Sequence, residues 1–276
     1  MNKKVFEKPL YRLNDIHMHV IPEVDDGAWN MEMAEQMVWM SYQQGVRKLA
    51  ATSHNSAFEE DETLAKKNFE ALKIQVQNRY EDLELYLGCE IRCTPHAMDH
   101  ILEMLHTGTY PSMNGTPYVL TEFSPYVKPE EAVFCVQALL AQGWIPIIAH
   151  VERYPGLFQE EALKEKTLED DLKEEISRED ILEKLLDMGC LFQINVYSVY
   201  EEKDEKIRGR ANELLKKKQV HFLGSDAHRT WHRPPCVEKG MAYLYQIYDK
   251  AYIDAIAFQN ADALLFDCFN DSSNTL

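Results

Sequence analysis

Residues 13–27 read LNDIHMHVIPEVDDG, and this stretch gives the first indication of the fold. The run at residues 13–20 is rich in apolar residues, which predicts a strand buried in a parallel sheet. Side chains alternate between the two faces of a strand, so His17 and His19 project from the same face. Asp26 follows in the next loop. The stretch therefore places two imidazoles and a carboxylate near the end of the first strand.

Six further apolar runs predict strands, with helix-like segments between them. The strand-like runs span residues 46–52, 83–91, 118–123, 145–149, 191–194 and 220–223. The helix-like segments span residues 31–44, 63–79, 129–142, 178–188, 206–218 and 237–266. Repeated strand–helix units predict an α/β fold with a parallel sheet and helices outside it. Seven units in a chain of this size predict a closed (β/α) barrel, one unit short of the usual eight, with a doubly wound open sheet as the alternative.

The domain organisation follows from the absence of linker-like composition. No segment rich in Pro, Gly and Ser divides the chain, which predicts a single domain over residues 1–276 with a core of about 13–268. Residues 160–175 form a charged insertion after the fifth strand, and we expect a solvated helix or a mobile loop there. We expect residues 270–276 to form a disordered tail.

Six of the seven predicted strands have His, Asp or Glu at or just after their carboxyl ends. In a barrel these ends meet around one mouth, where the active sites of this architecture lie. A single His is more often a hydrogen-bonded structural residue than a ligand, but nine residues placed in this way indicate a metal site. The nine candidates are His17, His19, Asp26, His54, Glu90, Glu122, His150, Asp226 and His228.

The composition of this set indicates which ions it suits. Five imidazoles and four carboxylates are typical of sites for transition metals such as Mn, Fe or Zn, rather than Ca or Mg. Nine ligands exceed what one four-coordinate ion takes. The set therefore predicts two or three divalent ions, with Glu90 as the bridging carboxylate. Such a cluster can lower the pKa of bound water to about 7, and we expect the resulting hydroxide to attack phosphorus.

Two arginines direct this chemistry toward phosphate. Arg153 follows His150 by three positions and Arg233 follows His228 by five, so both lie in loops at the predicted mouth. A planar guanidinium matches two phosphate oxygens, so we expect both arginines to hold the phosphoryl group. Among the candidate ligands, Asp226 is expected to be essential for catalysis. His228 is a candidate proton donor to the leaving group.

Composition and motifs exclude several other functions. The formal net charge of −17 disfavours binding to nucleic acids and to anionic membranes. None of the six cysteines has Arg six positions later, so the C-x5-R loop of cysteine-dependent phosphatases is absent. No secretory segment or membrane-spanning apolar run is visible, and no cysteine pair has C-x-x-C spacing. We therefore expect a cytoplasmic protein with free thiols.

Several motifs together resemble the PHP (polymerase and histidinol phosphatase) superfamily. They are DIHMHVIPEVDDG, ATSH, GCEIR, LTEF, PIIAHVERY, QIN, GSDAH and the RPP that begins at Arg233. Within the superfamily, the chain is most similar to the CpsB/YwqE-type bacterial protein-tyrosine phosphatases. The resemblance runs from about Asp15 to Arg233, which is most of the chain.

This resemblance implies a distorted (β/α)7 barrel with a trinuclear metal centre. It implies that the nine candidates are the ligands and that Arg153 and Arg233 bind phosphate or support catalysis. The implied substrate is phosphotyrosine on a cognate capsule or exopolysaccharide tyrosine kinase. The chain departs from the family pattern at Tyr197, where VYS replaces small residues after QIN, and at His232, which precedes Arg233.

Three other functions remain open at this point. One is a small-molecule PHP phosphatase such as a histidinol phosphatase. The second is an amidohydrolase-type barrel, which also begins with H-x-H but usually needs fewer ligands and no phosphate-binding arginines. The third is a catalytically idle domain that binds a kinase, although such a domain should have lost ligands.

Overall fold

Eight parallel strands form the centre of the fold in the computed structural model, which describes residues 9–158 and 180–267. The predicted insertion at 160–175 and the predicted tail at 270–276 lie outside the described residues. The strands are β1 (Leu13–Met18), β2 (Val46–Ala51), β3 (Glu84–Leu87), β4 (Glu90–Arg92), β5 (Tyr118–Glu122), β6 (Ile145–Ile148), β7 (Leu191–Asn195) and β8 (Phe222–Gly224). They pair in two sheets, β1-β2-β3 and β4-β5-β6-β7-β8.

Backbone contacts join the two sheets at two places. Met18, at the end of β1, forms a parallel bridge with Ala227 after β8, and His54 forms another with Glu90. The amide of His19 also donates to the carbonyl oxygen of Ala227 at 2.9 Å. These contacts close the strand order into a ring, so the predicted distorted (β/α)7 barrel is confirmed and the open-sheet alternative is not.

The third predicted strand, 83–91, is wrong as a single strand. It divides into β3 and β4, which belong to different sheets. The break falls at Gly88, where a Cβ atom would lie 2.8 Å from Sδ of Met113, so the chain passes close to a neighbouring loop. The amide of Gly88 still bonds to Ala51, whereas the amide of Glu90 bonds to Ser53 beyond the end of β2. Glu90 therefore begins a strand instead of ending one, yet it stays at the barrel mouth.

Eight α-helices follow the strands along the described chain. They are α1 (Met31–Gln43), α2 (Asn55–Arg79), α3 (Met98–Thr107), α4 (Pro129–Ala141), α5 (Ile181–Asp187), α6 (Glu205–Lys216), α7 (Glu238–Ile247) and α8 (Lys250–Asp254). Helix α2 begins eight residues earlier than predicted, with a non-helical backbone at Asp61, and α3 lies where no helix is predicted. Two π-helical turns, Ala255–Gln259 and Asp262–Phe266, complete the predicted helical segment 237–266. None of the helices within residues 9–158 and 180–267 has the length and apolar character that a membrane span requires.

Helix α7 lies against the turn Val196–Val199 that follows β7. Gly240 of this helix is buried, and a Cβ atom there would lie 2.6 Å from the carbonyl oxygen of Val196. Gly209 in α6 is exposed, and a Cβ atom there would have no atom of the described residues within 4 Å. The two glycines therefore differ in packing while both lie in helices.

We expect Gly240→Ala to lower the free energy of unfolding by about 1–3 kcal/mol, because the added methyl overpacks the contact with Val196. The matched change Gly209→Ala should raise it by about 0.5–1 kcal/mol, because alanine favours the helix and nothing is displaced. Urea unfolding of the two variants tests this pair. Equal effects of the two substitutions would contradict the close packing of α7 on the barrel.

Candidate metal centre

The structure brings all nine predicted ligand residues together at the barrel mouth. Their candidate ligand atoms form four overlapping groups, and within each group these atoms lie within 4.8 Å of one another. The groups are His19, Asp26, His54 and His228; His17, Glu90 and His150; His17, His19 and Asp226; and His54, Glu90 and Glu122. Four of the residues belong to two groups each, which is the pattern expected of ions that share ligands.

Glu90 lies at the middle of this cluster. Its Oε1 is 3.2 Å from Nε2 of His17 and 2.9 Å from Nε2 of His150. Its Oε2 is 3.1 Å from Nε2 of His19 and 3.1 Å from Nδ1 of His54. The side chain is only 1% exposed. A buried carboxylate with two imidazoles at each oxygen has the arrangement of a bridging ligand.

At His17, His19 and His228, Nδ1 lies against an oxygen atom that is not itself a candidate ligand atom. The pairs are His17 with Oε1 of Gln193 at 3.2 Å, His19 with Oδ2 of Asp25 at 2.9 Å, and His228 with the carbonyl oxygen of Asp226 at 3.0 Å. An acceptor at Nδ1 favours the tautomer with the proton there, which leaves the lone pair of Nε2 for a metal. Nε2 of His17 lies 3.3 Å from Nε2 of His19. A cation beside these two nitrogen atoms would accept both of their lone pairs.

Glu122 provides a further test of whether a cation fits. Its Oε2 is buried, and none of the described residues donates a hydrogen bond to it. Burial, together with the negative charge of Glu90, raises the pKa of Glu122 above its usual value. A buried carboxylate oxygen is normally paired or bound to a metal. The donor set around Glu90 and Glu122 therefore fits divalent cations.

The electrostatics of the cluster also favour positive charge. Burial opposes charge on His19, but hydrogen bonds to Asp25 and Glu90 outweigh it and raise the pKa of His19 well above its usual value. Burial likewise opposes ionisation of Asp226, but His17 and the arginines outweigh it and lower its pKa. For His228, burial and the neighbouring His19 lower the pKa to about 2. Its ring is therefore neutral at pH 7, as a metal ligand requires.

Three residues of the site have left-handed backbone conformations. The φ angles are 33° at His150, 53° at Asp226 and 52° at Arg233. Residues other than glycine rarely adopt this region, and such strain is concentrated at functional sites. Hydrogen bonds hold the strained backbone: the amide of Asp226 donates to His17, and the amide of His150 donates to Oε1 of Gln193.

Both predicted arginines reach the cluster through Asp226. Nη1 of Arg153 lies 3.2 Å from Oδ2 of Asp226, and Nη2 of Arg233 lies 2.6 Å from Oδ1. Nη1 of Arg233 also lies 2.9 Å from Nε2 of His228. Arg153, Asp226 and Arg233 line a cavity of about 540 Å³. Tyr197 and Trp231 also line it. The arrangement can hold an anion beside the candidate ligands.

A comparison with protein families matches residues 13–266 to the family described as "Capsular polysaccharide synthesis, CpsB/CapC". The chain belongs to this family. The curated relatives of this CpsB/CapC chain include the tyrosine-protein phosphatase CpsB of Streptococcus agalactiae, which is 30% identical over 258 residues and covers 91% of this chain and 97% of the relative. CpsB of Streptococcus pneumoniae is 32% identical over 242 residues, with 85% and 88% of the two chains covered.

A solved structure supports the fold of this CpsB/CapC chain. It is described as YwqE from Bacillus subtilis and CpsB from Streptococcus pneumoniae, unique metal-dependent tyrosine phosphatases. The likeness has a TM-score of 0.75 at 24% identity and covers 92% of this chain and 94% of the other. The predicted membership of the CpsB/YwqE-type phosphatases is confirmed.

Two residues of β7 have positioning roles that the sequence did not assign. Gln193 accepts hydrogen bonds at Oε1 and donates from Nε2 to Oδ1 of Asn195 at 2.9 Å. Asn195 in turn donates to Oδ2 of Asp226 at 2.9 Å. Their spacing of two on a strand, within the QIN motif, is the signal that places both side chains on the inner face. This chain of amides links His17 and His150 to Asp226.

The cysteines take no part in the cluster within the described residues. Cys89 and Cys93 belong to the main hydrophobic core, and burial raises the pKa of both thiols well above the usual value. Protonated, buried thiols are poor nucleophiles and poor metal ligands. Cys89 and Cys93 therefore serve as apolar core residues.

Asp25 positions the candidate ligand His19 without belonging to the ligand groups. Besides His19, its carboxylate accepts from the amide of Gly27 at 2.9 Å and from the amide of His54 at 3.1 Å. We expect Asp25→Asn to weaken metal binding about 10–100-fold, because the amide cannot accept all three bonds. Competition with a chromogenic chelator measures the affinity.

Asp82→Asn is the control for this experiment. Asp82 is exposed and pairs with Tyr42 and Arg47 away from the cluster. Its replacement should leave metal affinity unchanged. An Asp25→Asn protein with the metal affinity of the control would show that Asp25 does not orient a ligand.

Proposed function

We propose that this chain is a metal-dependent protein-tyrosine phosphatase that acts at the barrel mouth. The observation that carries the proposal is the meeting of Arg153 and Arg233 on Asp226, inside the cluster of nine candidate ligands. The names of the curated relatives, tyrosine-protein phosphatase CpsB, confirm the predicted activity class over the histidinol phosphatase alternative. All nine candidate ligands are present in the sequence, which favours an active enzyme over an idle kinase-binding domain.

The nine residues would hold two or three divalent transition-metal ions, with Glu90 as the bridge. The four overlapping groups and the placement of Glu90 between four imidazoles support this number. The mixture of imidazole and carboxylate suits Mn, Fe or Zn. When bound, such ions supply a water of lowered pKa as nucleophile and stabilise charge on phosphoryl oxygens.

The two arginines would bind and orient the phosphoryl group. Each guanidinium is partly buried, with 30% of the Arg153 side chain and 36% of the Arg233 side chain exposed, so each retains N–H groups that face the cavity. Asp226 neutralises one of the two positive charges, and the charges of Glu202 and Lys203, which also line the cavity, offset each other. The remaining positive charge favours a dianionic phosphate ester in the cavity.

The leaving group requires little help from the protein. A phenolate leaves readily compared with an alkoxide, so a strong general acid is not essential. Because the pKa of His228 is lowered to about 2, its ring is neutral at pH 7 and lacks the acidic second proton of an imidazolium. His228 therefore suits the role of ligand better than the role of proton donor that the sequence also allowed.

The physiological substrate would be a phosphotyrosine protein, and we propose a tyrosine kinase of the same capsule or exopolysaccharide system. The family description, capsular polysaccharide synthesis, supports this choice. An acidic chain with a net charge of −17 is not suited to nucleic acid as substrate. The cytoplasmic location and the single-domain organisation stay predictions.

We expect Arg153→Lys and Arg233→Lys each to lower kcat/KM for a phosphotyrosine peptide about 100–1000-fold, because an ammonium cannot bind two phosphoryl oxygens in a plane. Metal content should stay at the level of the unmodified protein. Arg79→Lys is the control, since Arg79 is exposed and contacts Glu35 on the surface. Phosphate release measures activity, and retention of full activity in both site variants would contradict the assignment.

Removal of metal should abolish the activity and restoration should recover it. We expect chelator treatment to eliminate hydrolysis of the phosphotyrosine peptide and elemental analysis of the active protein to find two or three ions per chain. Parallel assays with histidinol phosphate should give much lower kcat/KM. Chelator-resistant activity would refute the metal-dependent reaction.

A further inference from the structure

The cavity at the barrel mouth contains aromatic side chains that the metal chemistry does not use. Tyr197 and Trp231 line it together with Arg153, Asp226 and Arg233. Asp226 is 2% exposed, whereas Tyr197 is 37% and Trp231 58% exposed. The cavity is therefore buried at Asp226, whereas its more exposed lining carries the two aromatic rings together with Glu202, Lys203 and His232.

Trp231 is held in place by the loop after β1. Its ring lies 4.9 Å from that of Trp29, edge to face at 71°. The guanidinium of Arg229 stacks over Trp29 at 4.4 Å, and its Nε donates to the carbonyl oxygen of Asp26 at 3.1 Å. These contacts restrict the indole before any ligand arrives, which lowers the entropic cost of binding.

Tyr197 is positioned by the end of β7. It lies in the turn Val196–Val199, whose first residue packs against Gly240 of α7. The carbonyl oxygen of Tyr197 accepts hydrogen bonds from the amides of Glu201 and Glu202, both at 3.1 Å. This is the position at which the sequence has VYS after QIN.

We infer that Tyr197 and Trp231 bind the phenyl ring of phosphotyrosine and make the enzyme specific for aryl over alkyl phosphates. The inference rests on the proposed phosphatase function. With the phosphoryl group on Arg153 and Arg233, the next atoms of a phosphotyrosine side chain are its ring, and Tyr197 and Trp231 line the same cavity as the two arginines. Aromatic rings attract one another through offset-stacked or edge-to-face contacts. Phosphoserine has no ring, so it gains nothing from these residues.

Direct binding of two small phosphonates to the metal-loaded protein tests the inference. Phenylphosphonate and methylphosphonate share the anionic group and differ by the ring. We expect Trp231→Ala and Tyr197→Ala each to raise Kd for phenylphosphonate about tenfold in calorimetry. Kd for methylphosphonate should change less than twofold. With a phosphotyrosine peptide as substrate, the alanine substitutions should raise KM and change kcat much less.

Conservative and distant substitutions complete the experiment. Trp231→Phe should recover most of the affinity for phenylphosphonate, because a ring remains at the site. Trp39→Ala should have no effect, because Trp39 is an exposed residue of α1 outside the cavity. The inference would be overturned if the alanine variants bound both phosphonates more weakly to the same extent, or if they bound both as tightly as the unmodified protein does.

The outcomes separate this inference from the proposed function. A protein that binds phenylphosphonate through Tyr197 and Trp231 but releases no phosphate from phosphotyrosine would reject the phosphatase activity and support the aromatic site. A protein that cleaves phosphotyrosine and binds the two phosphonates equally well would reject the aromatic site and leave the activity intact.

Discussion

The structure depends on one buried carboxylate. Glu90 has lost nearly all of its hydration, and a buried charge is costly unless groups of the protein compensate it. Compensation comes from imidazoles that follow or end three different strands, namely His17 and His19 near the end of β1, His54 beyond β2 and His150 beyond β6. These strands can bring their ends to one point only if the sheet curves around it. The need to compensate the buried charge of Glu90 therefore accounts for both the cluster and the curvature of the sheet.

The seams of the barrel lie at this cluster. The two sheets are joined by the bridge between His54 and Glu90 and by the bridge between Met18 and Ala227. Both bridges involve candidate ligands or their immediate neighbours. A cation held there would connect strands from both sheets where backbone pairing is sparse. Ligand binding and closure of the mouth therefore support each other.

Much of this arrangement could be predicted from the sequence, because the candidate ligands lie at or just after the carboxyl ends of six of the seven predicted strands. The convergence of the nine residues follows from that rule. The division of the third strand at Gly88 could not be predicted, because it depends on contact with the distant Met113. The positioning roles of Gln193 and Asn195 could not be predicted either, since the roles of side-chain amides depend on partners from other strands. The early start of α2 falls in a polar stretch without helical periodicity.

The hydrogen bond from the amide of Asp226 to the carbonyl oxygen of His17 joins residues near opposite ends of the chain. A polypeptide emerging from the ribosome has its first strand long before its last, so this contact can form only when synthesis is nearly complete. Until then His17 and His19 lack Asp226 and His228. The set of nine candidate ligands is therefore complete only late in folding, and a truncated or stalled chain that ends before Asp226 lacks two of them.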